Sequence, residues 1–463
     1  MRRGNRWKTP DAPPLDPPSV VRTHALALHN DTDVPDAVLD LIGGAHVVLL
    51  GESTHGTHEF YRMRAAISRR LIEERGFSAI AVEADWPDAY RVNRFVRGTG
   101  DDDSPERALD GFTRFPTWMW ANTEVAELIG WLRDRNARLD PGRRAGFYGL
   151  DVYSLYGSIR AVIEYLEGVD PDAAAEARRR YACFDHGAGP GVGEDAQHYG
   201  LAVHAGRRAS CEAEAVEQLV RLRERAAERL RRDGLVAEEE EFFAQQNARV
   251  VRGAERYYRS MFAGRVSSWN LRDRHMHDTL QSLREHLSRL GRPAKVVVWA
   301  HNSHLGDARA TDMAGRGELN LGQLVRQNDP SDSVAIGLTT SVGTVSAASD
   351  WDGPLHRKHV RTPFPGSCER VFHDSGVSRF FLPVAPRFAS DGVVGALGGR
   401  RPQRFIGVIY RPETERLSHY FDADLPAQFD AVLHFDETRA LRPLRSTPTW
   451  ESLDAPETYP AGL

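Results

Sequence analysis

Val47-Val48-Leu49-Leu50-Gly51-Glu52-Ser53-Thr54-His55-Gly56-Thr57-His58-Glu59 is the stretch from which the fold can be read. Its four leading apolar residues read as a buried strand. The residues that follow place Phe60, Met63, Ile67 and Leu71 on one face at helical spacing. A strand-to-helix turn with two His and two Glu is where an α/β fold builds a binding crevice, because loops leaving the carboxyl ends of parallel strands share one edge. A structural reading of the same turn is also open. In it Ser53 or Thr54 caps the helix, and Gly51 and Gly56 serve tight backbone.

The same pattern recurs along the chain. A second apolar run, Phe77 to Glu83, leads through Trp86-Pro87 into a helix near Asp88, and a third, Gly146 to Asp151, again ends at an acid. A fourth, Ala294 to Ala300, ends in His301-Asn302-Ser303-His304. Further strands are expected at Val334 to Thr340, Thr344 to Ala347, Arg379 to Val384, Phe405 to Tyr410 and Ala431 to Phe435, with some antiparallel pairing. Between about 155 and 290 the strand signal disappears, and Ala, Glu, Arg and Leu recur at helical spacing. The expected fold is α/β: a mostly parallel central sheet flanked by helices, with a large helical insertion or lobe. The expected organisation is a Pro-rich disordered tail over 1–22, a first α/β half over 23–154, a helical lobe over 155–290 and a second α/β half over 291–463.

Composition narrows the function. The 463 residues, 41% hydrophobic and 27% charged, describe an ordinary globular protein able to bury a large core. A net charge of −5 argues against a nucleic-acid partner. No window approaches the roughly 18 apolar residues of a membrane span. Three cysteines, none in a CxxC pair, and no recognisable signal peptide fit a reducing cytosol, so a cytoplasmic protein acting on a small molecule is expected.

Four expected strands end in ionisable groups: Glu52, His55, His58 and Glu59; Glu83 and Asp85; Asp151; His301 and His304. In a parallel sheet these ends converge. Burying so many such groups is costly unless they pair or act. A His held by a carboxylate is a competent general base near neutral pH. A second His, or Arg64 in the second turn of the first long helix, can stabilise an oxyanion. There is no Gly-x-Ser-x-Gly elbow and no cysteine with a nucleophile signature, so the chemistry reads as direct activation of water. The same Glu and His residues also suit a divalent cation, although no His-Glu-x-x-His or other zinc spacing is present. Trp269 to Met276 opens a helix with two readings: it reaches the site, or its Arg272-Asp273-Arg274 is a salt-bridged helix start, the commoner case. Gly395 to Gly399 lacks the context of a phosphate loop.

The chain resembles the erythromycin esterase-like proteins. The likeness rests on Leu50-Gly51-Glu52-Ser53-Thr54-His55-Gly56, Ile80-Ala81-Val82-Glu83 with Asp85, Gly149-Leu150-Asp151 and Trp299-Ala300-His301-Asn302-Ser303-His304. It extends to Gly343-Thr344-Val345, Gly366-Ser367 with Glu369, and Gly407 to Pro412. The resemblance implies a cofactor-free hydrolase that opens the lactone ester of a macrolide antibiotic with His-activated water. It puts Glu52, His55, Arg64, Glu83 and His301 at functional positions. In that reading His55 is the general base, Glu83 orients water or the base, Glu52 supports the loop, and His301 and Arg64 stabilise the oxyanion. His304, Phe115, Trp118 and Trp120 are expected to meet the substrate. The alternatives are a metal-dependent hydrolase built on the same cluster and a non-catalytic small-molecule-binding protein.

Overall fold

The computed structural model describes residues 16–185, 196–233 and 238–452. Strands form at β1 (Leu26–Ala27), β2 (Val47–Leu50), β3 (Ala79–Asp85), β4 (Gly146–Asp151), β5 (Val296–Trp299) and β6 (Ser333–Ala348). They continue with β7 (Leu355–Val360), β8 (Arg379–Pro383), β9 (Arg401–Arg404), β10 (Tyr420–Ala423) and β11 (Ala431–Thr438). Nine of them make one sheet in the order β1-β8-β11-β6-β2-β5-β3-β4, with β7 on the far half of β6, and β9 and β10 form a separate ribbon. From β11 to β4 every neighbour is parallel; β1, β7 and β8 pair antiparallel.

Helices α1 (Pro17–His24), α2 (Asp36–Ile42), α3 (His58–Glu74), α4 (Trp86–Arg97), α5 (Pro105–Leu109) and α6 (Thr123–Asn136) belong to the first half of the chain. The central strands are apolar throughout because both faces are covered. Val48, Leu50, Ile80 and Val82 point into a core shared with Phe60, Ile67 and Leu71 of α3 and Leu128 of α6. Val47, Leu49, Ala79 and Ala81 point into a second core on the opposite face. That alternation fixes the register, since a slip by one residue would exchange the two faces. As a result Leu50, Trp299 and Val82 lie in line across the sheet, and the residues after them emerge at one edge.

Between β4 and β5 the described residues are helical: α7 (Leu155–Val169), α8 (Pro171–Asp185), α9 (Ala196–His204), α10 (Glu212–Asp233), α11 (Glu238–Met261) and α12 (Arg265–Arg289). They enclose a third core around Leu155, Val162, Tyr181, Leu219 and Val251. Short helices α13 (Asn302–Leu305), α14 (Leu321–Asn328) and α15 (Cys368–Asp374) follow among the later strands. Among the described residues no helix is long and apolar enough to cross a membrane.

The structure corrects several expectations. Of the Pro-rich tail, residues 1–15 lie outside the described residues, but Pro17–His24 is helical: Asp16 caps it and proline at its first turn is pre-set for a helix. The two strands expected at Val334–Thr340 and Thr344–Ala347 are one strand, β6. Gly343, at φ 119°, continues it while lying against the backbone of Thr438. Phe405–Tyr410 is not a strand. Pairing falls on β9 instead, and only Ile406 and Ile409 make isolated bridges. Cys183, in the last turn of α8, and Cys211, the residue before α10, are joined in a disulfide.

Candidate active site

The β2–α3 turn is shaped by close contacts that the sequence hinted at only as glycines. A Cβ on Gly56 would clash with the carbonyl oxygen of Ser346, so this turn presses directly against β6. The residue capping α3 is Thr57, without a side-chain cap bond, so neither Ser53 nor Thr54 serves as the cap. The tight turn buries Glu52 completely and leaves His55 6% exposed.

His55 and Glu52 pair, with Nδ1 to Oε1 at 3.0 Å. On the other side Glu52 Oε2 meets Arg64 Nη2 at 2.7 Å, with the two side chains 0–1% exposed. The Arg64 guanidinium also lies 4.4 Å from the ring of Tyr61 and 4.7 Å from that of Trp299. Arg64 is therefore sealed behind the His55–Glu52 pair and is not among the cleft-lining residues. This corrects the expectation that it meets the oxyanion: it reaches the chemistry only through Glu52. His58 and Glu59 also turn away. His58 pairs with Glu124 at 2.6 Å, and Glu59 holds Arg439 at 2.9 Å.

Glu83 is the centre of a second network. Its Oε1 accepts from Arg272 Nη2 at 2.6 Å and its Oε2 from the backbone N–H of His301 at 2.9 Å. Burial alone would push this carboxyl up. The charges of His304, Arg272 and His55 and the His301 amide instead hold it well below the usual carboxylate range. Arg272 grips Asp151 with two bonds, at 2.6 and 2.9 Å, and Asp151 is likewise held low against its burial by that guanidinium. Next to Arg272 on α12, Asp273 takes the Nδ1 of His304 at 2.9 Å. Burial would lower His304, but Asp273 and Glu83 outweigh it and raise the imidazole above the ordinary histidine value. Its ring stacks on Trp269 at 4.5 Å.

His301 faces His55, with ring centroids 4.8 Å apart. Its Nδ1 accepts the backbone N–H of Ser303 at 3.2 Å, and its buried Nε2 has no hydrogen-bond partner. Burial, and then His55, hold it well below the ordinary histidine value, so the ring is neutral. With Nδ1 accepting, the single proton of the neutral ring sits on Nε2.

His55, Glu83, His301 and His304 open onto a cleft of about 330 Å³ between the strand ends and the helical lobe. Phe115 and Trp120 line it, and the Trp120 Nε1–H donates to the Glu83 carbonyl at 3.1 Å. Trp118 does not line it. It belongs to the apolar core with Phe95, Leu128 and Phe147, a correction to the expected substrate contact. Sequence reasoning missed Arg272 and Asp273. They lie inside α12 and not at its start, and the functional signal would have been a charged pair in a helix whose neighbours Met276 and Leu280 are buried. It also missed Trp351, which borders the cleft from the β6–β7 hairpin.

The metal reading of this cluster finds little room. Glu52, Glu83 and Asp151 are each already engaged by a guanidinium. Among the described residues the side chains that do converge with ligand spacing are Asp31, His58 and Glu59, outside the cleft, and Arg62 and Arg439 occupy those carboxylates.

Sheet, lobe and cleft together define an α/β protein with a cleft at the carboxyl ends of parallel strands, where buried acid–base pairs converge. The family model described as Erythromycin esterase matches residues 72–438, most of the chain, and the chain belongs to that hydrolase family. It is 23% identical to erythromycin esterase type II of Escherichia coli over 363 residues, 74% of this chain and 81% of that protein. A crystal structure of a succinoglycan biosynthesis protein superposes with a TM-score of 0.73 at 22% identity, covering 93% of this chain and 98% of that one. A mutant of the erythromycin esterase EreC, in its open conformation, matches with a TM-score of 0.61 at 18% identity over 89% of this chain and 95% of that one.

Proposed function

We propose that the protein hydrolyses a carboxylic ester with water activated by His55, a macrolide lactone being the first substrate to test. The observation that carries this reading is the Glu52–His55 pair. Its imidazole opens onto an aromatic-lined cleft, 4.8 Å from the ring of His301, which also lines it. With Nδ1 engaged by Glu52, the lone pair of His55 is on Nε2. That nitrogen takes a proton as the water oxygen bonds to the carbonyl carbon. The carbonyl electron pair moves to oxygen, and the oxyanion accepts the Nε2–H of His301. Collapse breaks the bond to the alkoxide, which takes the proton back from His55. One water is consumed, and an acid and an alcohol are released. Glu83, fixed between Arg272 and the His301 amide, keeps a negative charge near His55 and favours its transient imidazolium.

The test is mass spectrometry of an erythromycin-type macrolide incubated with purified protein, beside the His55→Ala variant. A gain of one water with the wild type alone is expected. Turnover that survives in His55→Ala would overturn the mechanism. An unchanged macrolide alongside hydrolysis of simpler esters would keep the chemistry and discard the lactone.

A further inference from the structure

The cleft has a second polar end that the hydrolytic geometry does not use. Asp85 ends β3, two residues after Glu83, which places it about 7 Å further along the strand. It is 6% exposed and lines the cleft. Its Oδ2 accepts from Arg114 Nε at 2.8 Å, while its buried Oδ1 has no hydrogen-bond partner. Asp88, in the first turn of α4, borders the same space. Burial, and then the charge of Asp85, push the Asp88 carboxyl up to about 7, against Arg114, Arg91 on its own helix and Arg160 from α7. Phe115 and Trp351 complete the wall, meeting edge to face at 5.1 Å. Trp351 is 52% exposed at a hairpin tip, where its ring has little protein to pack against.

These groups select a ligand class. A buried carboxylate oxygen without a partner is unfavourable unless a ligand supplies a donor. An anion meets Asp85. An organic cation meets the guanidinium of Arg114, which lines the cleft and already holds Asp85. A neutral hydroxyl fits both groups, because it donates to Asp85 Oδ1 and accepts from a protonated Asp88. Hydroxyls on the rim of a ring, with its C–H face against Phe115 and Trp351, satisfy the polar and the apolar walls together.

Building on the reading of the site as an ester hydrolase, we propose that Asp85 and Asp88, with Phe115 and Trp351, form a subsite for a sugar or polyol ring attached to the ester that His55 attacks. The test compares the full chain on methyl 6-O-butanoyl-glucopyranoside and on ethyl butanoate. The wild type is expected to favour the sugar ester. In Asp88→Ala the ratio of kcat/KM for sugar ester over alkyl ester falls about tenfold, the effect of one lost ligand hydrogen bond. Trp351→Ala, at an exposed tip where folding is not at risk, lowers the same ratio. Hydrolysis of the alkyl ester without preference for the sugar ester overturns the subsite and keeps the hydrolase reading, as does a ratio unchanged in both variants. If the wild type hydrolyses neither ester, the hydrolase reading falls and binding decides the subsite. Saturable quenching of tryptophan fluorescence by methyl glucopyranoside, lost in Trp351→Ala and weakened in Asp88→Ala, supports it. No saturable change in the wild type overturns it.

Discussion

Replacing Arg64 by Met separates two roles for this residue that its sequence position leaves open. The guanidinium is wholly buried and lies 2.7 Å from a Glu52 oxygen whose side chain is 1% exposed. Methionine has a similar length and fills the space between Tyr61 and Trp299, so the main loss is charge compensation. A buried carboxylate left without its cation costs about 3–5 kcal/mol. Some contribution from the two ring contacts adds to this, at about 0.5–2 kcal/mol each. The charge-free pair Glu52→Gln with Arg64→Met is expected to recover at least about 2 kcal/mol of the single variant's loss, because no unpaired charge remains. The assay is urea unfolding of the wild type, both single variants and the double variant, comparing midpoints at constant m. An Arg64→Met loss below about 1 kcal/mol, or a double variant no more stable than Arg64→Met, would refute the assignment of Arg64 as the buried counter-charge of Glu52.

Two other predictions follow from burial. Trp118→Leu is expected to cost about 2–3 kcal/mol of stability with no rise in KM, whereas Trp120→Leu, at the cleft wall, raises KM; equal KM effects would contradict the different placement of the two rings. Burial pushes the Glu369 carboxyl up to about 7, against Arg404. A carboxyl raised in this way contributes stability that is fully present below its unfolded value near 4.5 and is lost as pH rises to about 7. Melting curves of Glu369→Gln and wild type from pH 4 to 8 are therefore expected to shift in the variant's favour by up to about 3 kcal/mol, and a pH-independent difference would exclude the raised carboxyl.

What the sequence made legible depended on local pattern. Val47–Leu50 and Gly146–Asp151 are apolar runs that end abruptly at an acid, so both the strands and the shared edge could be read without tertiary information. The burial of Arg64 was legible too: it stands four residues after Phe60 and three before Ile67, inside the apolar stripe of α3. The role of Arg272 was not. Helical periodicity shows which face of α12 is buried, but the strand end that face meets depends on how the lobe docks, and nothing within α12 specifies that. The single long β6 was hidden by Gly343, whose positive φ normally marks a turn but here allows the close approach of β11. Phe405–Tyr410 has strand-like composition but meets the sheet only at two isolated bridges, Ile406 with Thr54 and Ile409 with Ala348, because the neighbouring Ser346 N–H on that side of β6 is taken by the Gly56 carbonyl.

The charges at the strand ends follow one plan. Glu52 is matched by Arg64 from α3, Glu83 and Asp151 by Arg272 from α12, and Asp85 by Arg114 from the connection between α5 and α6. Each cation comes from a different segment, so the carboxylates can be buried only when sheet, lobe and connecting segments are all docked. Unpaired, any one of them would oppose folding by several kcal/mol. Paired with Arg272, Glu83 and Asp151 are held as negative charges and are poor proton carriers. Proton transfer then falls to the imidazoles that border the same space. His304 is committed to Asp273, and His301 is held neutral. The proposed hydrolysis gives that role to His55, paired with Glu52. In that proposal the same ion pairs that make so polar an edge stable also narrow the groups left for proton transfer.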